Sequence, residues 1–352
     1  MRQKGNVTIY DISKQLKIST ATVSRALNNS DRVSQKTRDL VLKTAKELNY
    51  QQNSLALALK SGKTNNIGVV VPYINHSFFA SVIRGIEEEL TPVGYHVIIC
   101  QTHENVENEA KQIQTLLNTH IDGIFMSVSK TTQDIDHITN ILNNNVPLIF
   151  FDRKKEITGV SSVTIDDFQG GFMATEHLIK QGCKRIAHLS GDLNLDIYLK
   201  RYEGYLDALK AYNIPIDRDL IIEVNSKLES GAVAVQQLYN LPKKIDAIFS
   251  SSDYAALGAI QELRAREVKI PDEVCVVGFS NEPFTQYMEM PITSVNQTPV
   301  LMGKIAAQVF LEQINEKKRM TVEKKVVLAP ELCIRNSSNK SKIETKKGKV
   351  RI

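Results

Sequence analysis

The sequence predicts an α/β protein built from a small N-terminal three-helix head, a short hinge and a two-lobe body of doubly wound parallel sheets. Three observations carry that expectation. The first 64 residues are strongly basic, and their apolar residues recur at helical spacing. From residue 65 onward, short β-branched runs alternate with amphipathic helical segments, the pattern of parallel sheets covered on both faces. At 352 residues the chain exceeds one ordinary core, and about ten strand-like runs are many for a single sheet.

Residues 7–28, VTIYDISKQLKISTATVSRALN, organise the head. Thr8 can cap a first helix with Asp11 in capping-box position, and Ile12 and Leu16 recur four apart on one face. Lys17-Ile18-Ser19 forms the turn, and Ser19 caps a second helix carrying Val23 and Leu27. Ile12, Leu16, Ile18, Val23 and Leu27 can then share one core. Thr20, Ala21, Thr22, Ser24, Arg25 and Asn28 are left on the outer faces of the second helix, a set without a carboxylate and small enough to enter a major groove. This is the pattern of a DNA-binding helix-turn-helix. Ser34 can cap a third helix reaching about Leu48, with Leu40, Val41, Ala45 and Leu48 closing the core.

Charge points the same way. Residues 1–64 carry 12 Lys+Arg against 4 Asp+Glu, and residues 337–352 carry 6 against 1. The whole chain is only +5, so the stretch between them carries −8. A phosphate-binding head on an acidic body has this footprint.

Tyr10-Asp11-Ile12, Thr22-Val23-Ser24-Arg25 and Asn28, followed by Val33-Ser34, Thr37-Arg38, Leu48-Asn49-Tyr50 and Asn53, make the chain resemble the LacI/GalR family of transcriptional regulators over nearly its whole length. The resemblance implies a periplasmic-binding-protein-like body that takes a small-molecule effector, sugar-like in preference to purine-like. It also implies a homodimer on a pseudo-palindromic double-stranded DNA operator. The expected DNA contacts are Thr8, Tyr10, Ser19, Thr20, Ala21, Thr22, Ser24, Arg25, Asn28 and Arg32 in the head. Asn53, Ala56 and Leu59 are expected to join them from the hinge. Arg25 is the expected guanine reader.

Residues 53–64 are the expected hinge. Asn53 can cap a turn or two of helix over 54–60, SLALALK, ended by Ser61-Gly62. So short a helix is marginal alone, and its leucines need a second copy or a DNA groove to cover them; a plain linker is the alternative. By resemblance it is a hinge helix that folds when two subunits pair on the operator, with Leu59 as the minor-groove wedge. Two positions depart from the family pattern: Gln52 replaces a common proline, and Leu57 a common basic residue.

In the body, strand-like runs fall at 67–71, 96–100, 123–127, 147–151, 162–165, 185–190, 220–224, 246–250 and 274–279. Helix-like segments fall at 78–90, 106–117, 168–181, 202–211, 230–239 and 255–266. The polar stretch 152–159 is the expected break between two similar halves. A helix at 301–315 and a strand at 322–328 suggest that the chain recrosses between lobes. The expected domains are therefore a head at 1–52, a hinge at 53–64, an effector and dimerisation body at 65–336, and a basic disordered tail at 337–352.

Ligands of open parallel sheets bind beyond the carboxyl ends of the strands. Asn75-His76-Ser77, Asp152-Arg153, Asp192, Ser252-Asp253 and Ser280-Asn281 lie at such ends, and Arg201 begins the helix after Asp192. The expected effector contacts are Asn75, Asp152, Arg201, Ser252, Asp253 and Ser280, with Phe78 and Phe79 as stacking rings. No aromatic is near Ser226, where some relatives stack a ring. A surface salt bridge to Glu203 or Asp207 is the alternative use of Arg201. By resemblance, Ser252 stands where asparagine is usual and Ser280 where aspartate is usual, which leaves room for a larger or acidic ligand.

No catalytic residues, cofactor or metal site are expected. Asp166-Asp167 precedes a helix and reads as a cap. Gly170-Gly171 lacks the rest of a phosphate loop, the seven histidines show no metal spacing, and His188 reads as a core histidine. No apolar run is long enough for a membrane span, and MRQKGNVTIY has no signal-peptide core. Four scattered cysteines fit reduced thiols in a cytoplasm. Two functions stay open: a ligand-switched DNA-binding regulator, or a two-lobe sugar receptor or enzyme whose head is incidental.

Overall fold

The computed structural model describes residues 7–51, 63–315 and 323–340. They fall into two compact units divided between Thr64 and Asn65.

The first unit holds α1 (Ile9–Leu16), α2 (Thr20–Leu27) and α3 (Gln35–Glu47). Each starts where a side chain satisfies the free amides of a helix N-terminus. The Thr8 N–H and hydroxyl both donate to the Asp11 carboxylate at 2.8 Å. Ser19 Oγ accepts the Thr22 amide at 3.1 Å, and Ser34 Oγ the Thr37 amide at 3.3 Å. Ile12, Val23, Ala26, Val41 and Ala45 form the core, ringed by Leu16, Ile18, Leu27 and Leu48. Leu40 does not join it and is 49% exposed. The buried face of α3 runs through Val41, Thr44 and Ala45, and helical spacing turns position 40 away from it.

The second unit contains two six-stranded sheets. The first is built from β1 (Asn66–Val71), β2 (His96–Gln101), β3 (Gly123–Met126), β4 (Leu148–Phe151), β5 (Ser161–Ile165) and, much later in the chain, β11 (Lys325–Leu328). Their order is β11-β5-β4-β3-β1-β2, and all pairs are parallel. The second comprises β6 (Ile186–Ser190), β7 (Ile221–Glu223), β8 (Ala247–Ser250), β9 (Cys275–Ser280), β10 (Thr293–Asn296) and β12 (Glu331–Cys333). Their order is β12-β10-β9-β8-β6-β7, with only β12 antiparallel. The helices are α4 (Ser77–Leu90), α5 (Val106–Asn118), α6 (Asp136–Asn143), α7 (Asp167–Lys180), α8 (Asp196–Ala211), α9 (Leu228–Tyr239), α10 (Asp253–Ala265), α11 (Phe284–Tyr287) and α12 (Pro299–Asn315). Each sheet buries an apolar cluster on both faces, so its strands read as unbroken apolar runs.

The lobe boundary differs from the sequence expectation. Residues 152–159 are a loop within the first lobe, because β5 follows them and pairs with β4. The first crossing comes at Asp166, between β5 and α7. The chain crosses again between β10 and α12, and between β11 and β12, as the late helix and strand suggested. The C-terminal boundary also moves. Far from being disordered, Ser337 and Ser338 are fully buried in the second lobe. Ser337 Oγ donates to Val276 O at 2.6 Å, and Ser338 Oγ bonds Thr293 Oγ1 at 2.6 Å. Hydroxyls can be buried when each finds a partner, a pairing invisible in a tail read for apolar residues alone.

His188 sits in the second core, between the rings of Tyr205 and Phe249 at 4.9 and 4.8 Å. Its Nδ1 lies 3.1 Å from Phe249 O, while Nε2 has no partner among the described residues. Burial pushes its pKa down to about 3, leaving a neutral ring.

Close helix crossings position the functional residues. A Cβ on Gly171 of α7 would lie 2.2 Å from the Arg201 carbonyl oxygen, and one on Gly204 of α8 would lie 2.1 Å from that of Phe168. The Gly170-Gly171 pair is therefore a packing device. Gly204→Ala should force α7 and α8 apart and cost about 1–3 kcal/mol in urea unfolding; an unchanged stability would mean that the crossing tolerates a methyl group.

Candidate functional site

In the head, an outer face is assembled around α2. Thr8, Tyr10, Ser19, Ala21, Arg25, Asn28 and Arg32 are exposed, and Thr20, Thr22 and Ser24 half-buried. Asn28 is held by its amide group donating to Ser24 O at 2.7 Å. Ser19 Oγ also meets Thr22 Oγ1 at 2.9 Å, so two of the expected DNA contacts double as a cap. Asn53, Ala56 and Leu59 lie outside the described residues.

In the body, the carboxyl ends of the two sheets face a cleft of about 410 Å³. The first lobe lines it with Ser129, Asp152, Arg153 and Lys154, and the second with Asp167, Phe168, Asn194, Asp196 and Lys200. Asp152 caps β4 with a left-handed backbone (φ 59) and accepts the Ser127 hydroxyl at 3.1 Å. Burial raises its pKa, against the pull of Arg153 and of Arg201 from the other lobe. Arg153 Nη1 donates to both oxygens of Glu104, at 2.8 and 3.0 Å.

Arg201 is 3% exposed and lies within α8, which starts five residues earlier than it. Its Nε donates to Asp167 Oδ1 at 2.7 Å and its Nη1 to Ser251 O at 3.0 Å. Its Cζ rests 3.7 Å from the centroid of Phe279. A surface bridge to Glu203 or Asp207 is not what forms, since those carboxylates pair with Lys200 and Lys210. Asp167 is thus more than the helix cap expected of the Asp166-Asp167 pair. Asp166 does the capping, accepting the Gln169 amide at 2.9 Å. Burial pushes Asp167 up to about 7, against the attraction of Arg201. A carboxyl raised in the folded state favours folding below its unfolded value, and that contribution is lost as pH rises through about 7.

The other expected contacts divide. Asn75 is exposed on the loop after β1. Phe78 and Phe79 are both buried in the first core, edge to face, with Phe79 against Phe151. Ser252 is buried at the start of α10 and its carbonyl accepts Ser250 Oγ at 2.7 Å. Asp253 turns into its own lobe, accepting the Glu282 amide at 2.8 Å and Ser294 Oγ at 2.7 Å. Ser280 ends β9 at φ 113 and is half-buried. Sequence reading passed over Glu104, Tyr198 and Glu282, and took Asp167 only as part of a cap. Only the fold brings Tyr198 to Ser226, hydroxyl to hydroxyl at 3.2 Å, although no aromatic is near that serine in sequence. Among the described residues no cluster suits a metal ion, and no helix is long and apolar enough to cross a membrane.

Two family descriptions match the chain: "Bacterial regulatory proteins, lacI family" over residues 8–53, and "Periplasmic binding proteins and sugar binding domain of LacI family" over residues 64–335. The chain is similar to the transcriptional regulator DegA of Bacillus subtilis (strain 168), 33% identical, with 94% of this chain and 98% of the relative covered. It is also similar to the transcriptional repressor PurR of Actinobacillus pleuropneumoniae serotype 3 (strain JL03), 30% identical over 94% of this chain and 98% of the relative. Among solved structures, the complex of the transcriptional regulator CelR with cellobiose matches with a TM-score of 0.71 and 29% identity, covering 94% of this chain and all of that one.

The Asp167–Arg201 pair yields a stability prediction. Arg201→Ala strands a buried carboxylate and should cost about 3–5 kcal/mol, whereas Asp167→Leu combined with Arg201→Met should recover most of it. Equal losses for the single and double variants in urea unfolding would show that packing, not charge, sets the effect.

Proposed function

The chain belongs to the LacI family of bacterial regulatory proteins, and from that premise we propose that it is a repressor whose hold on its operator is switched by a sugar-like effector in the interlobe cleft. The family joins an operator-binding head to an effector-binding body, and this chain carries both; its relatives are transcriptional regulators rather than enzymes. The reading of a receptor or enzyme with an incidental head is not favoured.

The observation that carries the switch is the cleft itself. Its walls come from both lobes, so a ligand there bears on their relative position. A volume of about 410 Å³ is within the range of small-molecule sites. Among the described residues its lining holds carboxylates, ammonium groups, a guanidinium and one amide, and Phe168 is its only ring. Hydroxyl-rich ligands suit such a lining, whereas a purine calls for flat faces on which to stack. The relative solved with cellobiose supports the same preference.

We place Thr20, Ala21 and Arg25 at the base edges of a major groove, with Thr8, Tyr10, Ser19, Thr22, Ser24, Asn28 and Arg32 at or near the phosphates. Two heads in a homodimer would read the halves of a pseudo-palindrome. Residues 53–64 would couple head to body, with Asn53, Ala56 and Leu59 on the minor groove.

Two measurements test this. Arg25→Ala should weaken operator binding by about 1–3 kcal/mol in gel shifts and relax base preference at one position per half-site. Retention of both affinity and preference would remove Arg25 as a base reader. Asp152→Asn should bind operator as the wild type does, yet need about tenfold more of a releasing sugar, a change of about 1.4 kcal/mol. A normal response would move the effector away from the cleft.

A further inference from the structure

The fold brings two of the four free cysteines together at the amino-terminal edge of the second sheet, away from the cleft. Cys183 precedes β6, and Cys275 is the first residue of β9. Asp246, just before the intervening β8, joins them. Its carbonyl oxygen accepts the Cys275 amide at 3.0 Å and lies 3.5 Å from Cys183 Sγ. The two thiols also hydrogen-bond each other. Lys340 places Nζ 3.8 Å from Cys183 Sγ, and its amide donates to Gln181 Oε1 at 2.9 Å, which anchors it there.

These surroundings make the two thiols unequal. The hydrogen bond from Cys275 and the charge of Lys340 hold Cys183 below the ordinary thiol value, against burial and the Asp246 carboxylate. The same bond, with burial, raises Cys275. Burial also raises Cys100 and Cys333. A thiol with thiolate character beside a cation attacks, and a thiol in contact with it resolves the product. Cys183 is only 1% exposed, but it lines a cavity of about 360 Å³ with Ile179, Tyr212, Ile214 and Pro215. A cavity of that size admits molecules a little larger than water, and a small hydroperoxide is one.

We infer that Cys183 and Cys275 form a redox-sensitive pair that a small hydroperoxide converts to a reversible disulfide. The Cys183 sulfur attacks one peroxide oxygen, and an S–O bond forms as the O–O bond breaks. The departing oxygen takes up the proton that Cys183 gave up and leaves as water or an alcohol. The Cys275 sulfur then attacks the sulfur of the Cys183 sulfenic acid. Its proton joins the displaced hydroxide, and water departs. Two thiols have then given two electrons to one peroxide. The bond draws sulfurs already in contact to about 2.05 Å and ties the turn before β6 to β9 across β8. Reducible disulfides of this kind serve redox sensing. The pair stands apart from the effector cleft and does not depend on it.

The test uses the full chain, reduced, freed of reductant and treated with hydrogen peroxide. Peptide mapping of the non-reduced protein should find Cys183 joined to Cys275, lighter by two hydrogens, while Cys100 and Cys333 remain thiols. Dithiothreitol should reverse the change. Cys183 should be lost about tenfold faster than Cys100, and the difference should vanish in urea, because the fold creates it. Cys275→Ser should leave Cys183 as a sulfenic acid that dimedone captures. Lys340→Gln should slow the loss of Cys183 about threefold. The inference is overturned if the bridge does not form, if Cys100 or Cys333 oxidises first, or if the rate difference survives in urea. It is equally overturned if Cys275→Ser yields no adduct on Cys183, or if Lys340→Gln reacts at the wild-type rate. The mapping and the urea comparison need no variant, so a misfolded substitution leaves the inference open to refutation.

Discussion

The guanidinium of Arg201 ties together parts of the second lobe that lie far apart in sequence. It holds Asp167 at the first interlobe crossing, the Ser251 carbonyl beyond β8 and the ring of Phe279 in β9. Neither charge could be buried alone, since an unpaired ion so far from water costs several kcal/mol. The pair survives because α7 and α8 cross at Gly171 and Gly204, which brings Arg201 over the first turn of α7. From there its charge also reaches Asp152 in the other lobe. The charge of Arg201 therefore bears on both lobes at the cleft.

Much of the fold could be read in advance because burial on both faces writes itself as apolar runs. The nine strands expected from such runs all form, within a residue or two at their ends. The misses have physical causes. β10 and β12 are short and carry Thr, Ser, Asn and Glu, and α6 holds few apolar residues in two turns. The polar stretch 152–159 looked like a domain boundary, but it is a loop that delivers Arg153 to the cleft. The paired hydroxyls of Ser337 and Ser338 looked like a tail because hydrogen bonding across the sheet leaves no periodicity.

The site was legible in position more than in role. Strand ends pointed to Asp152, Ser252, Asp253 and Ser280, and each does lie at a strand end. Yet Asp253 is consumed by Ser294 and the Glu282 amide, with burial pushing its pKa up to about 7, and it organises the loop rather than offering an oxygen outward. Phe78 and Phe79 are core, while His76 and Tyr254 meet across the lobes. The short Ser252 and Ser280 suggested room for an acidic ligand. The cleft itself carries both signs, with Asp152, Asp167 and Asp196 beside Arg153, Lys154 and Lys200, a mixture that only three-dimensional proximity could reveal.

A ligand between two lobes shifts their arrangement only by the difference in its affinity for the two states. Moving an equilibrium from 1:99 to 99:1 requires about 5.5 kcal/mol of such preference. Hydrogen bonds to charged groups contribute about 1.5–3 kcal/mol each, so two or three made in one arrangement alone would suffice. The cleft has donors and acceptors of that kind on both walls: Asp152 and Arg153 on one, Lys200 and Asp196 on the other. A small polar molecule that bridged the two walls could therefore select one arrangement of the body.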